Sequence, residues 1–188
     1  GGAKFHRANL TGTKRGGADL TGATIAGADL SRSNLTGATM AAAYLSGACL
    51  LGAERQRAEL NDVRASGALA RGAILRHGSI QRADLSESDL QPADLRDANL
   101  SQAHLGGARL GGAVLRDADL TGGRLTGADL EAAALRGANL AGATLTGAVL
   151  DSASLMDADL GWADFTEANL CHANLSGARA EGAWFRRA

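Results

Sequence analysis

The side chains best suited to acid–base, nucleophilic or metal chemistry are four histidines, His6, His77, His104 and His172, and two cysteines, Cys49 and Cys171. An imidazole can move protons near neutral pH or ligate zinc, and a thiolate can attack or ligate. Both roles need partners brought together, and the histidines are scattered along the chain. Solvated surface histidine is therefore the better reading of each. The cysteines stand 122 residues apart and set neither a disulfide framework nor a zinc site. Two unpaired thiols fit a reducing, cytoplasmic setting. No phosphate-binding loop, metal-ligand spacing or nucleophile motif is present. The expectation is no catalytic site, no metal and no cofactor.

Composition explains why such a site is hard to build. The 188 residues hold 26 Gly, one Pro and 3% aromatics, yet 45% of the chain is apolar. Small Ala and recurrent Leu supply that fraction, which points to a regular repeat rather than a jigsaw core. The formal net charge is −1, so no bulk field draws the chain to nucleic acid or to an anionic membrane. The most apolar stretch, residues 38–53, is too short to span a bilayer and still obeys the repeat. The chain begins with Gly and is already in register at Ala3 and Phe5, which reads as an excised part of a longer protein.

The repeat is five residues long. Of the 37 positions divisible by five, from Phe5 to Phe185, 26 are Leu, and Phe, Ile or Met fill six more. The exceptions are Arg15, Arg55, Ala65, Ala70 and Ala180. Two residues before each, 31 of 37 positions are Ala, and the residue between is often Asp or Asn, as in Ala18-Asp19-Leu20 and Ala98-Asn99-Leu100. No insertion breaks the register.

A helix cannot use this spacing. Five residues advance about 500°, or 140° net, so Leu would smear around the cylinder instead of forming a stripe. A straight strand fails too, because residues five apart point to opposite faces of a period-2 ribbon. Leu can stay on one side only if the chain turns a corner in every unit. Ala and Leu then share the inward face. Gly recurs two residues after Leu, as at Gly22, Gly127 and Gly142, where the corner calls for backbone angles that glycine adopts freely.

The pattern Ala-Asp/Asn-Leu-X-X resembles the pentapeptide-repeat family over essentially the whole chain. The resemblance implies an all-β fold, a right-handed quadrilateral β-helix with four pentads per coil, about nine coils in all, and a single domain over residues 1–188. Phe5, Phe165 and Phe185, separated by multiples of 20, would share one wall. Leu20, Leu60, Leu100, Leu120, Leu140 and Leu160 would form one core ladder. At the spacing of adjacent strands the rod is roughly 44 Å long. Cys49 and Cys171 would lie about six coils apart on one wall, too far to pair.

The repeat is weakest over residues 53–82, where Arg55, Ala65 and Ala70 take core sites and six arginines face three acids. Two readings stand: repeat drift with a loosened coil, or a basic-apolar contact patch for a protein partner, carried by Arg57, Arg64, Leu69, Arg71, Ile74 and Arg76. Arg15 and Arg55 at inward sites call for local distortion, a nearby acid or a side chain that snorkels outward. Near the other end, Trp184 and Phe185 read either as a plug of the final coil or as a contact for a homodimer through the end of the solenoid.

The expected function is a non-catalytic structural or protein-binding scaffold. The resemblance also implies an alternative, since some family members act as DNA mimics that bind DNA gyrase and topoisomerase IV and protect them from quinolones. Charge weighs against it. A mimic 44 Å long would ideally show roughly 25 negative charges. Sorted by wall, the chain carries −4 beside Leu20, −2 beside Leu10, +2 beside Phe5 and +3 beside Leu35. The gyrase-targeting members also favour Phe at the core site, a C-terminal dimerising helix and sometimes projecting loops, whereas this sequence has mostly Leu at the core site and shows no appended helix or loop. Direct binding of nucleic acid or membrane is not expected.

Overall fold

The computed structural model describes residues 3–13, 17–54 and 57–188; Arg15 and Arg55, the two inward arginines, lie outside the described residues. The backbone winds as a solenoid of 20 residues per coil. Among the described residues, each one before a core site is bridged in parallel to its counterpart in a neighbouring coil, as in Asn99↔Asp119↔Asn139↔Asp159. A fully described coil carries four such bridges, one per wall, so the section is four-sided. Each wall contributes one bridged residue per coil rather than a multi-residue strand, because the corner arrives after five residues.

Every amide in a consensus unit has a partner, which is why the unit repeats. Around Leu120, the Asp119 N–H donates to the Ala98 carbonyl one coil below (2.9 Å), and the Leu120 N–H donates to the Asn139 carbonyl one coil above (2.7 Å). The Gly122 N–H donates to Ala141 above (2.9 Å), and the Gly123 N–H closes the corner on the Leu120 carbonyl (2.9 Å). That leaves the amide of Thr121 without a backbone acceptor. Asp119 Oδ1 accepts from it at 3.0 Å. The same bond recurs at Asn9, Asp29, Asn99, Asn139 and Asn174. Asp and Asn before the core residue are therefore turn acceptors that complete the backbone accounting.

The corner has a left-handed residue two after the core site. Gly22, Gly127 and Gly142 have φ of +63°, +64° and +65°. Asp97, Asp117 and Asp157 occupy equivalent corners at φ +56° to +59°, a region that Asp tolerates better than most side chains. Pro92 stands at the same position, where its ring fixes φ near −65° and removes the donor that other corners use.

Inside, the core sites stack. Leu20, Leu60, Leu100, Leu120, Leu140 and Leu160 are all buried, and the Ala two residues earlier lines the interior beside them. Phe165 and Phe185 stack with ring centroids 5.0 Å apart, one coil between them. Each buried Leu contributes about 1.5–3 kcal/mol by leaving water, against the ordering of its unit.

The stack is not uniformly filled. Where Ala65 and Ala70 replace Leu on adjacent walls, a cavity of about 30 Å³ opens, bordered by Val63, Leu75, Leu85 and Ser88. The walls do not close over it. The Ala65 and Ala70 amides still donate to Asp84 and Asp89 one coil up, both at 2.7 Å. The hydrogen-bond ladder fixes the girth of the coil whatever side chains hang inside.

Candidate interaction surfaces

Because each wall shows the same three outward columns, function has to be sought in what the columns display. The six residues of the weak segment wrap around the rod instead of sharing a face. Arg64 is bridged to Asp84 on one wall, Leu69 to Asp89 on the next, and Ile74 to Asp94 on the third. Arg57, Ile74 and Arg76 belong to this third wall, and Leu69 and Arg71 to the second. Leu69 is 48% exposed, whereas Ile74 is half-buried. Arg64 lies over the Tyr44 ring at 5.0 Å. Arg71 spans the coils to Gln91 Oε1 (2.9 Å) and to Asp89 (3.3 Å), a carboxylate it shares with Arg109 at 3.2 Å.

The third wall carries a feature that reading in fives hides. Arg76, Arg96, Arg116 and Arg136 each follow a core Leu and stand one above another in successive coils, since Ile74, Asp94, Val114 and Ala134 beside them are bridged in turn. Writing the sequence in rows of twenty exposes the column directly. Asp94 sits between the first two members. Arg96 grips it with Nε (2.9 Å) and Nη2 (2.8 Å), and Arg76 Nε donates to the same carboxylate at 2.6 Å. The Arg96 fork, followed by Arg76 and the Arg96 amide, holds the Asp94 carboxyl down to about 2 against the opposing effect of burial. Higher up, Arg136 reaches Asp157 at 3.2 Å. The place equivalent to Asp157 above Arg116 is Gly137, and among the described residues Arg116 has no ion-pair partner.

The corner between the walls of Leu20 and Phe5 holds a shallow, open groove of about 460 Å³, lined by Arg82, Gln102, His104, Gly122 and Arg124. Arg82 is already occupied by a two-bond pair with Asp62 (2.8 Å each). Trp162 is 72% exposed beside a second open groove with Arg179 and Glu181. Trp184 is 56% exposed with the Arg186 guanidinium 5.7 Å from its ring, and Phe185 covers Phe165.

The chemistry-capable residues stay apart. His77 lies 3.6 Å from Asp97, and His172 3.1 Å from Asp151, both at the surface. Both cysteines are free thiols; Cys49 contacts Ser31 Oγ at 3.1 Å and Cys171 is exposed. Among the described residues no group of three or more His, Cys, Asp or Glu side chains is arranged to hold a metal ion, and no helix is long and apolar enough to cross a membrane.

A four-sided coil with Leu stacked inside and polar columns outside defines a β-solenoid. The pentapeptide-repeat family model matches residues 16–52, 56–91, 93–131, 128–155 and 153–188 in eight copies, and the chain belongs to that family. Among solved structures it is similar to HetL, a pentapeptide repeat protein involved in heterocyst differentiation regulation from the cyanobacterium Nostoc. The identity is 31%, 96% of this chain and 88% of HetL are covered, and the TM-score is 0.55. It is also similar in fold to a trypsin-treated form of QnrB1, a plasmid-mediated fluoroquinolone resistance protein. There the identity is 21%, the coverage 96% and 92%, and the TM-score 0.61. Comparison with curated proteins gives no match.

Proposed function

We propose that this chain is a non-catalytic, protein-binding scaffold: a right-handed rod of about nine coils, folded as one domain, whose walls present side chains at fixed spacing. The observation that carries the reading is the division of labour within each unit. Two residues of every five fill the interior and the rest form flat columns, so converging polar groups have no enclosed pocket in which to gather. The 30 Å³ cavity is apolar and internal, and the grooves are open to water. The contact surface centres on the basic third wall, with Arg57, Ile74 and Arg76 at its lower end; Arg64, Leu69 and Arg71 extend it around the neighbouring corners. Cys49 and Cys171 fit a reducing cytoplasm. Trp184 and Phe185 offer a second copy an apolar contact, expected as a dimer in light scattering at high protein concentration.

Cross-linking and mass spectrometry in the native host test the scaffold reading. A reproducible protein partner is expected, with cross-links concentrated on the third wall. Failure to recover any partner would reduce the role to a purely structural one. The alternative, a DNA mimic acting on gyrase, is tested by a supercoiling assay with and without a quinolone. With a net charge of −1 and its most acidic wall at −4, the rod is expected neither to inhibit nor to rescue at micromolar concentration.

A further inference from the structure

The arginine column is the most ordered charged feature of the rod. Across the chain, six residues directly following a core site are Arg, and four of them fall in this one column in consecutive coils. We propose that the column is a docking strip for an amphipathic α-helix of a partner protein, laid along the rod axis with a stripe of acidic side chains against Arg76, Arg96, Arg116 and Arg136. The inference rests on the scaffold reading and adds the chemistry and shape of the partner.

Spacing selects a helix. Coils repeat at about 4.8 Å, so the four guanidinium bases span about 14 Å. Acids at i, i+3, i+7 and i+10 of a helix are separated by ten residue rises in all, or about 15 Å, with a mean step near 5 Å. An extended segment places same-face side chains about 6.7 Å apart and drops out of step after one or two coils. Duplex nucleic acid is disfavoured by the acids beside the column, which would face its phosphates.

Those acids also orient the partner. On one flank Asp94 interrupts a partly exposed apolar column of Ile74, Val114 and Ala134, against which small apolar residues of the helix fit. On the other flank stand Asp97, Asp117 and Asp157, with His77 below them, so basic residues are favoured on that side of the helix. Asp94 holds the Arg76 and Arg96 forks in place through Nε and Nη2 of each, which leaves the Nη1 donors for outward contacts. Arg116, without an internal acid, is the member with its full charge to offer.

The test uses the full chain and two synthetic peptides of identical composition. One is a helical peptide with Glu at i, i+3, i+7 and i+10; the other has the same Glu residues spread around the helix. Binding is followed by fluorescence anisotropy at low salt, with a 20-base-pair DNA duplex as a third probe. The striped peptide is expected to bind more tightly than its permuted partner and to lose affinity as salt rises. Arg116→Gln is expected to weaken it about two- to fivefold, the range of exposed ion pairs. Arg124→Gln, an equal charge change on a different wall, is expected to leave it unchanged. Equal binding of the two peptides, absence of binding, equal effects of the two variants, or tighter binding of the duplex would each overturn the inference. Because the scaffold reading is tested by partners cross-linked in the host, a negative peptide result beside a recovered partner rejects the docking strip alone.

Discussion

The coil that carries Ala65 and Ala70 and the coils from Leu100 to Leu160 share one backbone and differ in what fills it. In the upper coils every core Leu is sealed, with 0% of its surface accessible at Leu100, Leu120, Leu140 and Leu160. Around the gap, Leu60, Ala70, Leu75 and Leu85 keep 4–8%. Yet bridges run through both regions without a shift in register, and the amide bonds of Ala65 and Leu120 to the coil above are equally short at 2.7 Å. In a solenoid the ladder sets the dimensions and the side chains only occupy them. A missing Leu leaves a void instead of a narrower coil. Val63 shows the converse: a Val at an Ala site is accommodated there because its neighbours are small.

The largest effect separating the regions is expected from a buried charge. Leu120→Asp should cost several kcal/mol, since a carboxylate in a sealed apolar stack has neither water nor a partner. Ala70→Asp should cost less, because the adjoining cavity has room for about one water molecule. Asp119→Ser, which weakens a turn acceptor at the surface, should cost less than about 1 kcal/mol. Denaturant titration of the three variants checks the ranking, and equal losses at positions 119 and 120 would contradict the register.

Adding volume should change sign between the regions. Ala128→Val copies Val63 into a filled coil and is expected to destabilise by about 1–3 kcal/mol through overpacking. Ala70→Val places carbon in the cavity and is expected to stabilise by about 0.5–1 kcal/mol, in line with the cost of a void near 30 Å³. Thermal melts of both variants measure the difference. Destabilisation by Ala70→Val would mean that the coil has no usable space.

How much of this was legible follows from what the period encodes. The inward Leu and Ala and the corner glycines are local properties of one unit, and reading in fives finds them. Surface columns arise between residues 20 apart, so the run from Arg76 to Arg136 stays hidden until the coil length is applied. For the same reason Arg57, Arg64, Leu69, Arg71, Ile74 and Arg76 look like one basic-apolar patch in the sequence but lie on three walls. The void at Ala65 and Ala70 depends on a girth held by backbone bonds, which residue types do not express.

Asp94 joins the two regions, taking Arg76 from the weak segment and Arg96 from the regular stack. Its folded pKa of about 2 lies below the 3.8 of a free carboxyl, so its ionised form favours the folded state. The corresponding stability is fully present above pH 3.8 and is lost as pH falls through about 2. The side chain is 18% exposed, but its partners Arg76 and Arg96 are 38% and 39% exposed, so solvent screening trims the gain to on the order of 1 kcal/mol. Asp94→Asn should lower stability by about that amount at pH 7 and leave it unchanged below pH 2. Hydrogen exchange should then show faster opening at the Leu75 and Leu95 amides than at Leu155, about three coils from the substitution. An equal rise at all three amides would show that the rod opens as a single unit and that no coil is weaker than another.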